Sequence, residues 1–345
     1  MDISRRKFMH SIGWAGAGLG VANFLPQDVL ASGRRMAPFT FEISLAEFSF
    51  ASELYTGKMT NLDFPKRAVN EFGVNVLEYV SGFFNDKHTD KAYLRELKMI
   101  CEDVGASNHL IMVDGDNLTA LDDNKRQLAV ESYYPWVEAA KFLGCSTIRV
   151  NLGDAMAVLS GKPEEGSPED TAAAAVDGYG KLLEFAEKSD LNVIVENHFG
   201  YSTDPDWLLG IMDQIDSDKK GFLPDFGNFC AKRSTPESYD IAGLLKTTCV
   251  EEHDKYEGVK KMMPLAKGIS AKTHRFGPDG MDLETDFMKM FSLIKESGWT
   301  GGYVGIEYEG GIMRDMAGDT NLLANADGVK ATKKLLEMVL AEMGG

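Results

Sequence analysis

The sequence predicts a single (β/α)8 barrel preceded by a cleavable export segment. From residue 38 onward, short β-rich runs alternate with helical stretches at near-regular spacing, and no Pro/Gly/Ser linker or low-complexity tract interrupts them. Such alternation implies parallel βα units, and eight of them close most economically into a barrel. In front of them, Ser4-Arg5-Arg6-Lys7-Phe8-Met9 precedes an apolar, small-residue stretch from Ile12 to Leu25.

Taken in order, that N-terminal segment resembles a twin-arginine export signal, with Val29-Leu30-Ala31 as its cleavage site and Ser32 as the first mature residue. Gly13, Gly16, Gly18 and Gly20 make it a poor soluble helix. Residues 1–31 are therefore assigned to a signal peptide and 38–345 to the barrel. The resemblance implies a periplasmic or otherwise exported protein that crosses the membrane folded.

The eight strands are expected near Phe41–Ser49, Val74–Val80, Asn108–Val113, Ser146–Asn151, Asn192–His198, Gly221–Asp225, Gly268–His274 and Gly302–Glu307. Helices are expected over Pro65–Phe72, Asp90–Val104, Asn124–Leu143, Pro168–Ser189, Pro205–Ile215, a split region from Pro236 to Ala266, Leu283–Ser297 and Asn321–Met343. Ser167-Pro168, Thr203-Asp204-Pro205 and Ser234-Thr235-Pro236 each set a capping side chain before a proline suited to a first turn. The connection from Phe229 to Glu257 is long enough for an extra helix or a lid.

Composition narrows the function. Against 36 basic side chains stand 53 acidic ones, a formal charge of -17 that repels nucleic acid and anionic membranes. Past the N-terminal segment no apolar run is long enough to span a bilayer, so no stable membrane insertion is expected after cleavage. The four cysteines, Cys101, Cys145, Cys230 and Cys249, have no CxxC spacing and read as isolated buried thiols. A homo-oligomer is compatible with the composition.

In a barrel of this kind the active site lies at the carboxyl ends of the strands, so polar residues ending apolar strands are the candidates. Side chains alternate along a strand. Glu196 and His198 then share one face, Ser270, Lys272 and His274 another, and Gly305, Glu307 and Glu309 a third, with Asp225 ending the sixth strand. Carboxylates converging inside a barrel mouth need a cation to neutralise them. Glu78, Arg149 and Asn151 end other strands and are candidates for substrate hydroxyls, with barrel salt bridges as the alternative. Phe199 and Tyr201 are candidates for an apolar sugar platform; His253 reads as solvated, and Trp136 and Trp207 as core.

The phrases Glu196-Asn197-His198, Asp225-Phe226-Gly227-Asn228 and Gly305-Ile306-Glu307-Tyr308-Glu309-Gly310, in this order, resemble sugar-phosphate isomerases and epimerases of the xylose-isomerase-like superfamily. The resemblance covers the whole mature chain. It implies one divalent metal, Mn²⁺ first with Mg²⁺, Co²⁺ and Zn²⁺ as alternatives, held by Glu196, Asp225, His274 and Glu307. Many relatives read His-x-Lys-Asp on the seventh strand, which aligns their imidazole with Ser270, so His198 is a second candidate ligand, or else a substrate or outer-shell group. The implied chemistry is proton transfer through an enediolate on a sugar or keto-sugar, with Glu196 and Glu307 as acid and base and Lys272 assisting. A lyase or dehydratase that expels a substituent from a keto-sugar or keto-glycoside is the alternative. No basic cluster marks a phosphate site, which favours a neutral carbohydrate.

Overall fold

The structure, a computed structural model, describes residues 39–154, 158, 162 and 165–344, so the expected signal segment lies outside the described residues. Eight parallel strands form the barrel wall: β1 (Glu42–Ala46), β2 (Val76–Val80), β3 (Ser107–Val113), β4 (Thr147–Val150), β5 (Asn192–Glu196), β6 (Lys220–Leu223), β9 (Ile269–Thr273) and β10 (Tyr303–Tyr308). Their order is β6-β5-β4-β3-β2-β1-β10-β9. The ring closes between β6 and β9 through isolated bridges, Phe222 with Ala266 and Asp225 with Ser270. Backbone hydrogen bonds from Ser270 N–H to Pro224 at 3.0 Å and from Phe226 N–H to Ser270 at 3.2 Å reinforce that seam.

Strand alternation divides the core in two. Outward residues such as Val193, Val195, Ile148 and Ile306 pack under the helices in the main core. Inward residues Ala46, Val80, Leu110, Met112, Ile194 and Leu223 form a separate apolar cluster that fills the barrel interior beneath the polar strand ends. Burial of the Val, Leu, Ile and Met side chains among these, roughly 1.5–3 kcal/mol apiece, makes a one-residue slip of any strand prohibitive.

Helix starts follow the caps in two of three cases. Ser167 Oγ accepts the Asp170 N–H at 3.1 Å, and Asp204 Oδ1 accepts the Asp206 N–H at 2.9 Å. Ser234, expected to cap a helix, instead bonds across to Thr248: its N–H donates to the Thr248 carbonyl at 2.8 Å and its Oγ accepts the Thr248 N–H at 3.0 Å. The long connection holds a two-stranded antiparallel hairpin, β7 (Cys230–Arg233) with β8 (Cys249–Glu252), and the short helix Ile241–Leu245 between them. Asp240 caps that helix.

The hairpin corrects the reading of the cysteines. Cys101 and Cys145 are free and buried, as expected, but Cys230 and Cys249 are joined in a disulfide. Antiparallel pairing brings two residues distant in sequence within bonding range, which spacing alone does not encode. The first strand also stops short of Ser49, because Glu47–Phe50 turn into a 3-10 helix.

Candidate active site

Three strands deliver three carboxylates. Glu196 ends β5, Asp225 lies two residues past β6, and Glu307 is the fifth residue of β10. All are buried, and one oxygen from each falls within 4.8 Å of the others. The placement follows from register: Asp225 bridges Ser270 on β9, and Glu307 pairs with Lys272. Asn197, the residue just past β5, locks the β5 and β6 ends together by donating to the Asp225 and Asn228 carbonyls at 3.0 and 3.1 Å and accepting the Asp225 N–H at 2.8 Å.

The carboxylates are held, not loose. Ser270 Oγ lies 2.6 Å from Asp225 Oδ2 and 2.9 Å from Glu307 Oε2. Asn228 donates to Glu196 Oε1 at 3.1 Å, and Gly227 N–H donates to Asp225 Oδ1 at 2.8 Å. Arg149 Nε sits 2.7 Å from Glu196 Oε2, an ion pair whose N–H is not aligned as a hydrogen bond, so that oxygen remains a buried acceptor without a donor. Lys272 Nζ is 2.8 Å from Glu309, 3.4 Å from Glu307 and 3.5 Å from Asp225. Gly227 lets the lysine stem pass, since a Cβ there would come within 2.8 Å of its Cδ.

Burial governs the protonation balance. It pushes Glu196 well above the usual carboxylate range; Arg149 opposes this, while Glu307 and Asp225 add to it. It pushes Glu307 up to about 7 even though Lys272 pulls the other way. Burial would lower Lys272, but Asp225, Glu307, Glu309 and Glu196 hold it well above its ordinary value. Glu309 stays well below the carboxylate range in spite of burial, because Lys272 and His274 flank it.

The two histidines part company. His274 stands outside the group of three: its Nδ1 is 2.9 Å from Glu284 and its Nε2 is 3.4 Å from Glu309. Both ring nitrogens are thereby engaged. Although burial works against it, those two carboxylates raise its pKa to about 10. His274, one residue past the end of β9 at Thr273, was the expected fourth ligand and here contacts Glu284 and Glu309. His198 lies beside Phe199, ring centroids 4.1 Å apart, and its buried Nδ1 has no hydrogen-bond partner. Burial, aided by Arg149, lowers its pKa to about 3 and keeps it neutral.

The remaining candidates form the surroundings. Glu78 accepts from Ser44 at 2.6 Å and is pushed by burial to about 7. Arg149 and Asn151 both bind Asp114, at 2.6 and 2.9 Å. Tyr201 turns its hydroxyl to the Gly166 carbonyl at 3.0 Å. Of the residues that hold the site, sequence reasoning missed Asp114, and it named Ser270 and Asn228 without giving either a role. Asp114 carries the same signal as Glu196, a polar residue ending the apolar run Leu110-Ile111-Met112-Val113.

Three oxygen donors, buried together with an unpartnered oxygen among them, fit a divalent cation, and an all-oxygen set suits hard ions such as Mg²⁺ or Mn²⁺. Among the described residues no helix is long and apolar enough to cross a membrane.

Residues 67–337 match the family described as xylose isomerase-like TIM barrel. No curated protein matches the chain. Among solved structures, it is similar to a D-tagatose 3-epimerase-like protein at 14% identity and a TM-score of 0.60, over 88% of this chain and 98% of that one. It is similar to 3-keto-D-glucoside 4-epimerase from E. coli at 14% identity and 0.58, over 86% and 100%. A xylose isomerase-like TIM barrel protein from Mycobacterium smegmatis, in complex with magnesium, aligns at 14% identity and 0.61, over 88% and 98%.

Proposed function

Since the chain belongs to the xylose isomerase-like TIM barrel family, we propose that it is a metal-dependent sugar isomerase or epimerase that moves a proton at a carbon next to a carbonyl. The convergence of buried Glu196, Asp225 and Glu307 at the strand ends, beside the ammonium of Lys272, carries this reading. Glu196, Asp225 and Glu307 would hold a divalent cation, Mg²⁺ or Mn²⁺ by their oxygen chemistry. When bound, it supplies a Lewis acid that acidifies the C–H beside a carbonyl.

The chain's own groups do the rest. Glu307, fixed at the end of β10 by Ser270 and 3.4 Å from the Lys272 ammonium, is suited to exchange a proton with the substrate carbon. Glu196, on a separate strand and held by Arg149 and Asn228, is the second acid or base. Lys272, fixed by Glu309, offers its ammonium to the oxygen on which negative charge grows. Burial of these groups excludes water and strengthens each interaction.

The test is to incubate metal-loaded protein with keto-sugars and keto-glycosides in deuterated water and read the products by NMR. Deuterium at the α-carbon with every substituent retained is the expected result. Loss of a substituent would instead establish the lyase, and no exchange on any sugar would refute the reading.

We also propose that the protein is exported. The Cys230–Cys249 disulfide supports this, because such bonds persist in oxidising compartments. Arg5→Lys combined with Arg6→Lys should leave unprocessed precursor in the cytoplasm on immunoblots of cell fractions; normal processing of that variant would exclude the twin-arginine route.

A further inference from the structure

Resting on the sugar reading above, we propose that Phe48, Tyr55, Leu245 and Met316 form an apolar subsite at the barrel mouth for an uncharged apolar substituent, so that the substrate is a glycoside and not a free monosaccharide or a sugar phosphate. Every one of these side chains comes from a segment that follows the carboxyl end of a strand. Phe48 lies in the 3-10 turn Glu47–Phe50 and Tyr55 in the helix Ala51–Tyr55, both after β1. Met316 lies in the helix Gly310–Ala317, directly after β10, and Leu245 ends the helix Ile241–Leu245, in the connection after β6.

The segments that carry Phe48, Tyr55 and Leu245 all touch the helix Gly310–Ala317, and burial, together with the nearby charges of Asp114 and Glu309, pushes the Tyr55 hydroxyl pKa up. Phe48, Leu245 and Met316 are half-buried against the inward cluster containing Ile194 and Leu223. Those two residues precede Glu196 and Asp225 by two positions, on the same inward face. Tyr55 remains 52% exposed. Its ring meets Phe83 edge-on at 5.2 Å, and Phe48 stacks on the same Phe83 at 6.3 Å. Partly exposed aromatic and aliphatic side chains beside a charged site mark a surface awaiting an apolar group.

Charge decides against a phosphate. Arg149 is already paired with Asp114 and Glu196, and Lys272 with Asp225, Glu307 and Glu309. Both are thus committed to the carboxylates and, for Lys272, to the reacting oxygen, which leaves neither for an added dianion. A neutral second ring costs no such pairing.

The hairpin keeps Leu245 in place. Its strands carry the disulfide between Cys230 and Cys249, Ser234 and Thr248 are bonded across it, and the helix Ile241–Leu245 rests on the helix Gly310–Ala317. The strap therefore spans from the sixth strand to the segment that follows Glu309.

The proposal is tested by titration calorimetry of the magnesium-loaded full chain with phenyl and methyl β-glycosides of glucose and galactose, their 3-keto forms, and the parent sugars. Burying a phenyl ring should favour the phenyl over the methyl glycoside by about tenfold or more. Leu245→Ala and Tyr55→Ala should each shrink that ratio several-fold while leaving methyl glycoside binding nearly unchanged. Cys230→Ser with Cys249→Ser should act as Leu245→Ala does, and Tyr55→Ala, on an exposed side chain, serves should a strap variant fail to fold. Equal binding of phenyl glycosides, methyl glycosides and parent sugars would overturn the subsite and leave the sugar reading standing. Binding of none of them would overturn the sugar reading and the subsite with it.

Discussion

At the scale of single residues, the outcome for His274 turns on what its two nitrogens touch. Strand parity places it on the same face as Ser270 and Lys272, yet Glu284 and Glu309 engage both of its ring nitrogens. Parity fixes a direction, whereas ligation needs an imidazole nitrogen within about 2.0–2.3 Å of an ion. Glu196→Gln, Asp225→Asn and Glu307→Gln should therefore each lower bound metal at least tenfold by equilibrium dialysis and elemental analysis. His274→Ala should keep its metal and lose turnover, since Glu309 and, through it, Lys272 are no longer braced. Loss of metal from His274→Ala equal to that of the carboxylate variants would restore it as a ligand.

At the scale of elements, a glycine in β10 makes room for a carboxylate from β2. A Cβ on Gly305 would come within 2.6 Å of Glu78 Oε2, and Glu78 cannot swing away freely because it is buried and bonded to Ser44. Gly305→Ala should destabilise the fold by about 1–3 kcal/mol in urea unfolding. Glu78→Ala placed behind it should recover part of the loss, a coupling expected of residues in contact. Strictly additive effects would mean the two side chains do not meet. The β-α alternation that located both strands was plain in the sequence; their packing was not, because it pairs residues more than two hundred positions apart.

At the scale of the whole molecule, buried carboxyls make stability depend on pH. Burial pushes Glu47 from an ordinary 4.5 up to about 8, outweighing the donors it accepts from Val80 and Asn61. Between those two values the folded chain holds a proton that the unfolded chain has released. Stability is thus fullest below about pH 4.5 as far as Glu47 is concerned, falls as pH rises, and levels off above about 8. Denaturant unfolding of Glu47→Gln, which cannot titrate, should show a flatter profile across that window than the parent protein, whatever the absolute cost of the amide. Parallel profiles for the two would assign the pH dependence to other groups.

By itself the sequence determined the architecture and the acidic triad, because strand alternation and chain order are local properties: Glu196, Asp225 and Glu307 each end an apolar run. The tertiary structure decided which side chains satisfy them. Ser270 between Asp225 and Glu307, Arg149 against Glu196, His274 turned to Glu284, and Cys230 bonded to Cys249 are all pairings between elements distant in sequence. A buried charge or thiol is stabilised by whatever partner the packed barrel brings within a few ångströms, and that distance is set only once the strands are in register and the ring has closed.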